Sequence, residues 1–414
     1  MKKNYSLVIL VLLTFFVISF LTNIIGPLVP EIINSFHLSL TMVSFLPFAF
    51  FIAYGVMSIP AGILTEKFGE KPVMLIAFGI SFAGALMFAM YPNYAMSIVS
   101  LFLIGSGMAM LQVVINPLLR TAGGEAEFSF FSILAQLFFG LASFLSPLVY
   151  SYLVLNLNKE QVNGGLLKIL SELVPAELPW ASLYWIFAAI ALIMIGVIFL
   201  FKFPRVELNE DEKVGALDTH VGLLKNPTVI LFFLGIFCYV GSEQGVANWM
   251  SQFLSVYHGY DPQTTGAQVI AWFWGMMTAG TFVGLFLVKL FDSRYIIISF
   301  TIAAIIALFA ALFGSASVAL YSFPAIGFFI AVMYPIIISL GLNSVKEHHG
   351  SFSGILITGI CGGAVIPLII GFIGDHLSLR VGMLFLFITF GFILSIGIWA
   401  KPLITNQVVQ KRKK

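Results

Sequence analysis

The sequence is poor in charge: of its 414 residues only 9% are Asp, Glu, Lys or Arg, where an ordinary soluble domain carries about 25%. So little polar surface would not keep a folded chain dispersed in water, and a soluble globular protein is excluded. Twenty basic residues against 18 acidic leave a net charge of +2, too nearly balanced for the broad basic footprint of a nucleic-acid binder. Cysteine is scarcer still. Cys238 and Cys361 lie far apart inside apolar runs, which suggests neither a disulfide framework nor a CxxC metal site. Catalytic motifs are missing as well. There is no GxSxG, no HExxH and no Walker A stretch, so neither an enzyme nor an ATP-driven pump is expected, and no cofactor is implied.

What is present is apolar: 60% of the residues are hydrophobic, with 43 Phe and 37 Gly. A bilayer core about 30 Å thick asks for roughly 20 apolar residues per helix. Twelve such runs can be parsed, at 6–35, 41–64, 73–91, 96–119, 128–155, 181–202, 227–256, 264–289, 295–314, 317–343, 350–374 and 380–401. The uncharged stretch from Asn4 to Pro30 is longer than the apolar region of a secretory signal and has no small-residue cleavage site, so it reads as the first span. The longest polar stretches are 155–180 and 203–226, and the second, richer in charge from Arg205 to Lys225, divides the helices six and six. The expected organisation is an N-terminal bundle over 1–202, a cytoplasmic linker over 203–226, and a C-terminal bundle with a short basic tail over 227–414. With twelve spans, 17 of the 20 Lys and Arg residues fall on the side of the chain ends, and only Lys159, Lys168 and Arg380 fall opposite. Because cytoplasmic loops collect Lys and Arg, both termini are expected in the cytoplasm.

An internal repeat supports the division. Ser129-Phe130-Phe131-Ser132-Ile133-Leu134 opens helix 5 and Ser351-Phe352-Ser353-Gly354-Ile355-Leu356 opens helix 11, followed by Pro147 and Pro367 respectively. Parallel repeats of this kind build many secondary transporters. The fold class expected is an all-α membrane protein of twelve transmembrane helices in two pseudo-symmetric six-helix bundles.

After helix 2 the chain reads Gly62-Ile63-Leu64-Thr65-Glu66-Lys67-Phe68-Gly69-Glu70-Lys71, which resembles the cytoplasmic loop signature of the major facilitator superfamily, with Glu66 in place of its aspartate and Glu70 in place of one basic residue. The resemblance implies a conformational latch made by Gly62, Glu66, Lys67, Gly69 and Lys71, paired with a neighbouring helix in one transport state. An ordinary solvated charged turn is the alternative. Phe237-Cys238-Tyr239-Val240-Gly241-Ser242-Glu243, Met333-Tyr334-Pro335 with Ser339-Leu340-Gly341, and Gly350-Ser351-Phe352 with Gly362-Gly363 and Pro367 resemble the fucose/proton symporter family within that superfamily. Leu111-Gln112-Val113-Val114-Ile115-Asn116-Pro117 is similar to its glucose and galactose branch, and Leu134-Ala135-Gln136 follows the family pattern. The resemblance implies a sugar transporter of the bacterial inner membrane. The family's aspartate in the stretch Asn23-Ile24-Ile25-Gly26-Pro27, and its glutamate at Gln112, are absent here, so its proton-binding residues do not carry over.

The residues themselves name another coupling candidate. An ionisable group in hydrocarbon costs roughly 2.5–3.5 kcal/mol on insertion scales and marks function by default, and Glu243 is the acid deep within a span. Gly241 and Gly245 flank it, which would loosen the helix and bare carbonyls for a proton or a sodium ion. The alternative is a neutral carboxyl hydrogen-bonded between packed helices. Amides suit sugar hydroxyls because one group both donates and accepts. Gln112 and Asn116 form one stripe, and Gln244, Asn248 and Gln252 another. Trp249 is favoured over Trp272 and Trp274 as a flat face for a pyranose, and Asn23, Gln136, Tyr239 and Tyr334 complete the candidates. Interhelical hydrogen bonding is the competing reading for each.

The expected function is import of a neutral hexose by proton or sodium symport, with the halves rocking about a midplane site. The expected partners are sugar and lipid, and one chain, holding both halves, would suffice as a monomer. A multidrug or metabolite exporter of the same fold is the alternative.

Overall fold

The computed structural model describes residues 4–124, 128–159, 164–203, 217–345 and 349–403. Among them twelve helices are long and apolar enough to span a membrane. They are helix 1 (Tyr5–Phe36), 2 (Leu40–Phe68), 3 (Glu70–Met90), 4 (Tyr94–Gly123), 5 (Phe131–Leu157), 6 (Pro179–Leu200), 7 (Pro227–His258), 8 (Pro262–Leu290), 9 (Ser293–Phe313), 10 (Ala316–Leu342), 11 (Gly350–His376) and 12 (Leu379–Trp399). These match the expected runs to within a few residues. The charged linker from Arg205 to Lys213 lies outside the described residues, as does the basic tail. A short helix not anticipated in 155–180, Gly165–Leu173, buries Leu167 and Leu170 on one face.

The packing repeats with an offset of six helices. Helix 1 packs on 5, 2 on 4, 3 on 4 and 3 on 6; correspondingly 7 packs on 11, 8 on 10, 9 on 10 and 9 on 12. Two pseudo-symmetric bundles result. Across them, helix 2 meets 11, helix 5 meets 8, and helix 1 meets 7.

Proline breaks two of the spans. The ring at Pro27 removes the N–H that would bond the Asn23 carbonyl, and helix 1 makes a turn at Asn23–Ile24 before resuming at Ile25. Pro335 does the same to Ala331, where helix 10 is interrupted between Ile330 and Met333. Gly69 joins helices 2 and 3 with φ +84°, in a region closed to residues with a Cβ.

Both described chain ends, Asn4 and Leu403, lie on one face, called here the terminal face; the other is the distal face. From mid-membrane to the distal face the bundles are closed on one another. A Cβ built on Gly26 of helix 1 would meet the Ala247 carbonyl oxygen of helix 7 at 2.5 Å and Ile270 of helix 8 at 3.5 Å, and Gly140 of helix 5 sits directly on Thr278 of helix 8. At the distal rim the two carboxylate oxygens of Asp375, at the end of helix 11, accept the backbone N–H groups of Leu40 and Thr41 at 2.8 Å each. These are orphan donors at the start of helix 2. Gln263 Nε2 adds a bond to Glu31 at 2.9 Å. Asn116 and Gln136, in the terminal halves of helices 4 and 5, are exposed.

An exposed carboxylate on a helix N-terminus contributes about 1 kcal/mol, so Asp375→Asn should raise the ratio of distal-open to distal-closed molecules about fivefold. Spin labels at Tyr91 and Leu377, in a background lacking Cys238 and Cys361, would report it as a new long-distance component. An unchanged distance distribution would show that Asp375 does not hold the rim.

Candidate functional site

Glu243 sits in the middle of helix 7, half-buried. Its Oε2 accepts the Tyr239 hydroxyl at 2.7 Å and its Oε1 accepts Gln244 Nε2 at 3.0 Å. Tyr239, one turn away, also lies against Tyr334 of helix 10, with ring centroids 5.7 Å apart. Two donors from its own helix thus hold the carboxylate.

A polar string continues from here into the first bundle. Gln244 and Phe51 of helix 2 both close on Gly363 of helix 11, where an added Cβ would lie 3.2 Å from Gln244 and 3.0 Å from Phe51. Phe51 stacks on Tyr54 at 6.1 Å, and the Tyr54 hydroxyl donates to Gln112 Oε1 at 3.4 Å. Asn116 lies one turn further along helix 4. The two amide stripes are therefore bridged by the aromatic pair Phe51 and Tyr54 of helix 2. Neither residue was singled out in the sequence. Their signal is a polar phenol in mid-span beside Gly55, in the otherwise apolar run Phe48-Ala49-Phe50-Phe51-Ile52-Ala53-Tyr54.

Several expectations are corrected. Trp249 is no sugar platform: it is fully buried and its indole N–H donates to the Pro367 carbonyl at 3.2 Å, joining helices 7 and 11. Asn23 is buried, only 4% exposed. Its amide donates to Ser143 Oγ at 2.8 Å and Ser19 Oγ at 3.3 Å, so it ties helix 1 to helix 5. Helix 7 is not loosened beside Glu243. It runs unbroken from Pro227 to His258, and its glycines admit neighbours instead, Gly241 taking Ile366 and Gly245 taking Leu386 at 2.8 Å. Gln136 is exposed, Tyr334 is half-buried, and Asn248 is buried with its Nδ2 lacking any protein partner.

Of the latch residues, Gly62 is buried in helix 2 while Glu66 and Lys67 are exposed. Lys71 Nζ donates to the carbonyls of Phe199 and Phe201 at 2.8 and 2.7 Å. This cation caps the C-terminal end of helix 6, where carbonyls lack partners. The contact lies within the first bundle and does not cross to the second.

Twelve spans in two related bundles, with a polar string at mid-membrane, are the build of a membrane transporter. The model of the Major Facilitator Superfamily matches residues 11–367. The chain belongs to that superfamily. It is 29% identical over 407 residues to a glucose/galactose transporter of Brucella abortus, covering 96% of this chain and 95% of that one. It is 25% identical over 375 residues to the L-fucose-proton symporter of Escherichia coli, covering 87% and 85%. Among solved structures, the Escherichia coli fucose:proton symporter in the outward conformation superposes with a TM-score of 0.69 at 23% identity, covering 95% of this chain and 98% of that one. An inward-facing bacterial homologue of the human lysosomal transporter Spinster gives 0.77 at 16% identity, covering 96% and 98%.

Proposed function

We propose that this protein imports a neutral hexose by cation symport across a bacterial inner membrane, with the terminal face in the cytoplasm. The reading rests above all on Glu243, a carboxylate in mid-membrane bonded by Tyr239 and Gln244 and continuous with amides and phenols of both bundles. Such a site has donors and acceptors for sugar hydroxyls and one titratable group for a proton or a sodium ion. The relatives carrying glucose, galactose or fucose in their names support the substrate class, and the excess of Lys and Arg on the terminal face supports the orientation. Gln112, Asn116, Gln136, Gln244, Asn248 and Tyr334 are assigned to the sugar. Residues 1–202 and 227–414 act as the two moving halves, joined by 203–226, and a single chain is the working unit.

The test is uptake of labelled neutral hexoses into proteoliposomes, with a proton or a sodium gradient imposed separately. Accumulation above equilibrium under one gradient is expected. Absence of hexose uptake, with hydrophobic cations transported or competing instead, would overturn the sugar reading in favour of an exporter.

A further inference from the structure

Where helix 7 ends and helix 12 begins, at the distal face, a cation has aromatic support and no counter-charge. The Arg380 guanidinium lies over the Tyr257 ring at 4.5 Å and the Phe253 ring at 5.7 Å, and those two rings pack on each other at 4.6 Å. The Arg380 backbone N–H donates to the Tyr257 hydroxyl at 3.1 Å, which leaves the phenol proton free to donate in turn. His258 stands beside them, its ring 5.9 Å from that of Phe253 and within electrostatic reach of Arg380.

Acceptors are missing. Among the described residues the Arg380 side chain has no hydrogen-bond or ion-pair partner, and its Nε and the Nε2 of His258 are buried without one. The two terminal guanidinium nitrogens are unbonded as well but not buried, so the fork is open to its surroundings. The acids nearest in the chain are engaged elsewhere. Asp375 holds the N–H groups of Leu40 and Thr41, and Asp261 holds the Gln263 N–H and the Thr264 hydroxyl. A planar guanidinium stacked on an aromatic face is preorganised for two parallel hydrogen bonds to one oxyanion. Tyr257 and Arg380 fall in the last and first turns of their spans, at the depth of the headgroups. Their chain neighbours Val256, Leu377 and Val381 are exposed apolar side chains, which favours lipid over water on this rim.

We propose that Arg380 and Tyr257, with His258 beside them, bind the phosphodiester of a phospholipid in the distal leaflet. The guanidinium fork takes both free oxygens of the phosphodiester, and the phenol donates to one of them. The bound lipid fastens the end of helix 7 to the start of helix 12 and so stabilises the second bundle. The site is separate from the polar string at mid-membrane and stands whatever solute is moved.

The test uses the full-length protein in a neutral detergent, with bound lipid counted by native mass spectrometry. Thermal midpoints are measured with phosphatidylglycerol, with diacylglycerol, which has the chains but no phosphate, and with inorganic phosphate. Wild type should retain phosphatidylglycerol and gain stability from it, and gain from neither of the others. Arg380→Gln should weaken retention about tenfold, the loss of a charged hydrogen bond, and abolish the gain over its own lipid-free midpoint. Tyr257→Phe keeps the aromatic platform and removes one donor, so it should weaken retention about fivefold, and it serves where Arg380→Gln does not fold. Diacylglycerol acting as well as phosphatidylglycerol, or variants that retain lipid as wild type does, would overturn the site. An Arg380-dependent gain from inorganic phosphate equal to that from lipid would assign the cluster to a soluble anion and overturn the lipid reading.

Discussion

Glu243→Gln is expected to bring gradient-driven hexose accumulation down to the equilibrium ratio while counterflow exchange of the same sugar persists. The substitution is nearly isosteric, and both present partners can be kept: the amide oxygen accepts one donor, and the Tyr239 hydroxyl can turn to accept from the new N–H. Under the proposed coupling, what is lost is the ability to exchange a cation. Glutamine resembles the neutral, loaded carboxyl, so the bundles remain free to rock with sugar bound but the gradient no longer pulls on them. Uptake and counterflow measured side by side in proteoliposomes separate the two. Full accumulation in the variant would make Glu243 a packing residue and move the search to acids at the helix ends, such as Glu31.

The second large effect is on the fold itself. Gly362→Ala should leave little monodisperse protein after solubilisation, or lower its thermal midpoint sharply. A Cβ there would overlap the Phe237 carbonyl oxygen, so helices 7 and 11 touch backbone to backbone. Overpacking a rigid contact commonly costs about 1–3 kcal/mol and more where only backbone could give way. The strain would fall nearly two turns from Glu243 and on the junction that carries Gly363. Gly79→Ala is the control, because nothing lies within 4 Å of its added Cβ and alanine is the better helix former. Equal behaviour of the two variants would show that helices 7 and 11 are not held at this separation.

The twelve spans were legible because hydrocarbon imposes length and apolarity on each helix whatever its neighbours. Glu243 was legible for the same reason, as an acid in mid-span. The two interrupted helices follow from Pro27 and Pro335. Rotation of each helix about its axis was not legible: lipid-facing and protein-facing sides are equally apolar, so no hydrophobic stripe marks which side packs inward. That is why Trp249, amid polar neighbours in sequence, turned out to donate to Pro367, and why Tyr54 escaped notice. Asn23 read as a cavity residue because the serines that hold it, Ser19 and Ser143, come from its own helix and from one 120 residues away.

The closed distal seam has an electrical consequence. Under the proposed symport cycle, the membrane voltage would fall mainly across the closed layer between Glu243 and the distal face, where Gly26 meets Ala247 and Ile270. A bare carboxylate carried from one side of that layer to the other crosses nearly the whole drop, worth about 2.3 kcal/mol per 100 mV. With the proposed cation aboard the site would be neutral, and the loaded passage would do no electrical work. An interior held negative would then push the emptied, negatively charged site back outward, so the potential would set the pace of the return stroke, and turnover would slow as the membrane is depolarised even at constant ion gradient.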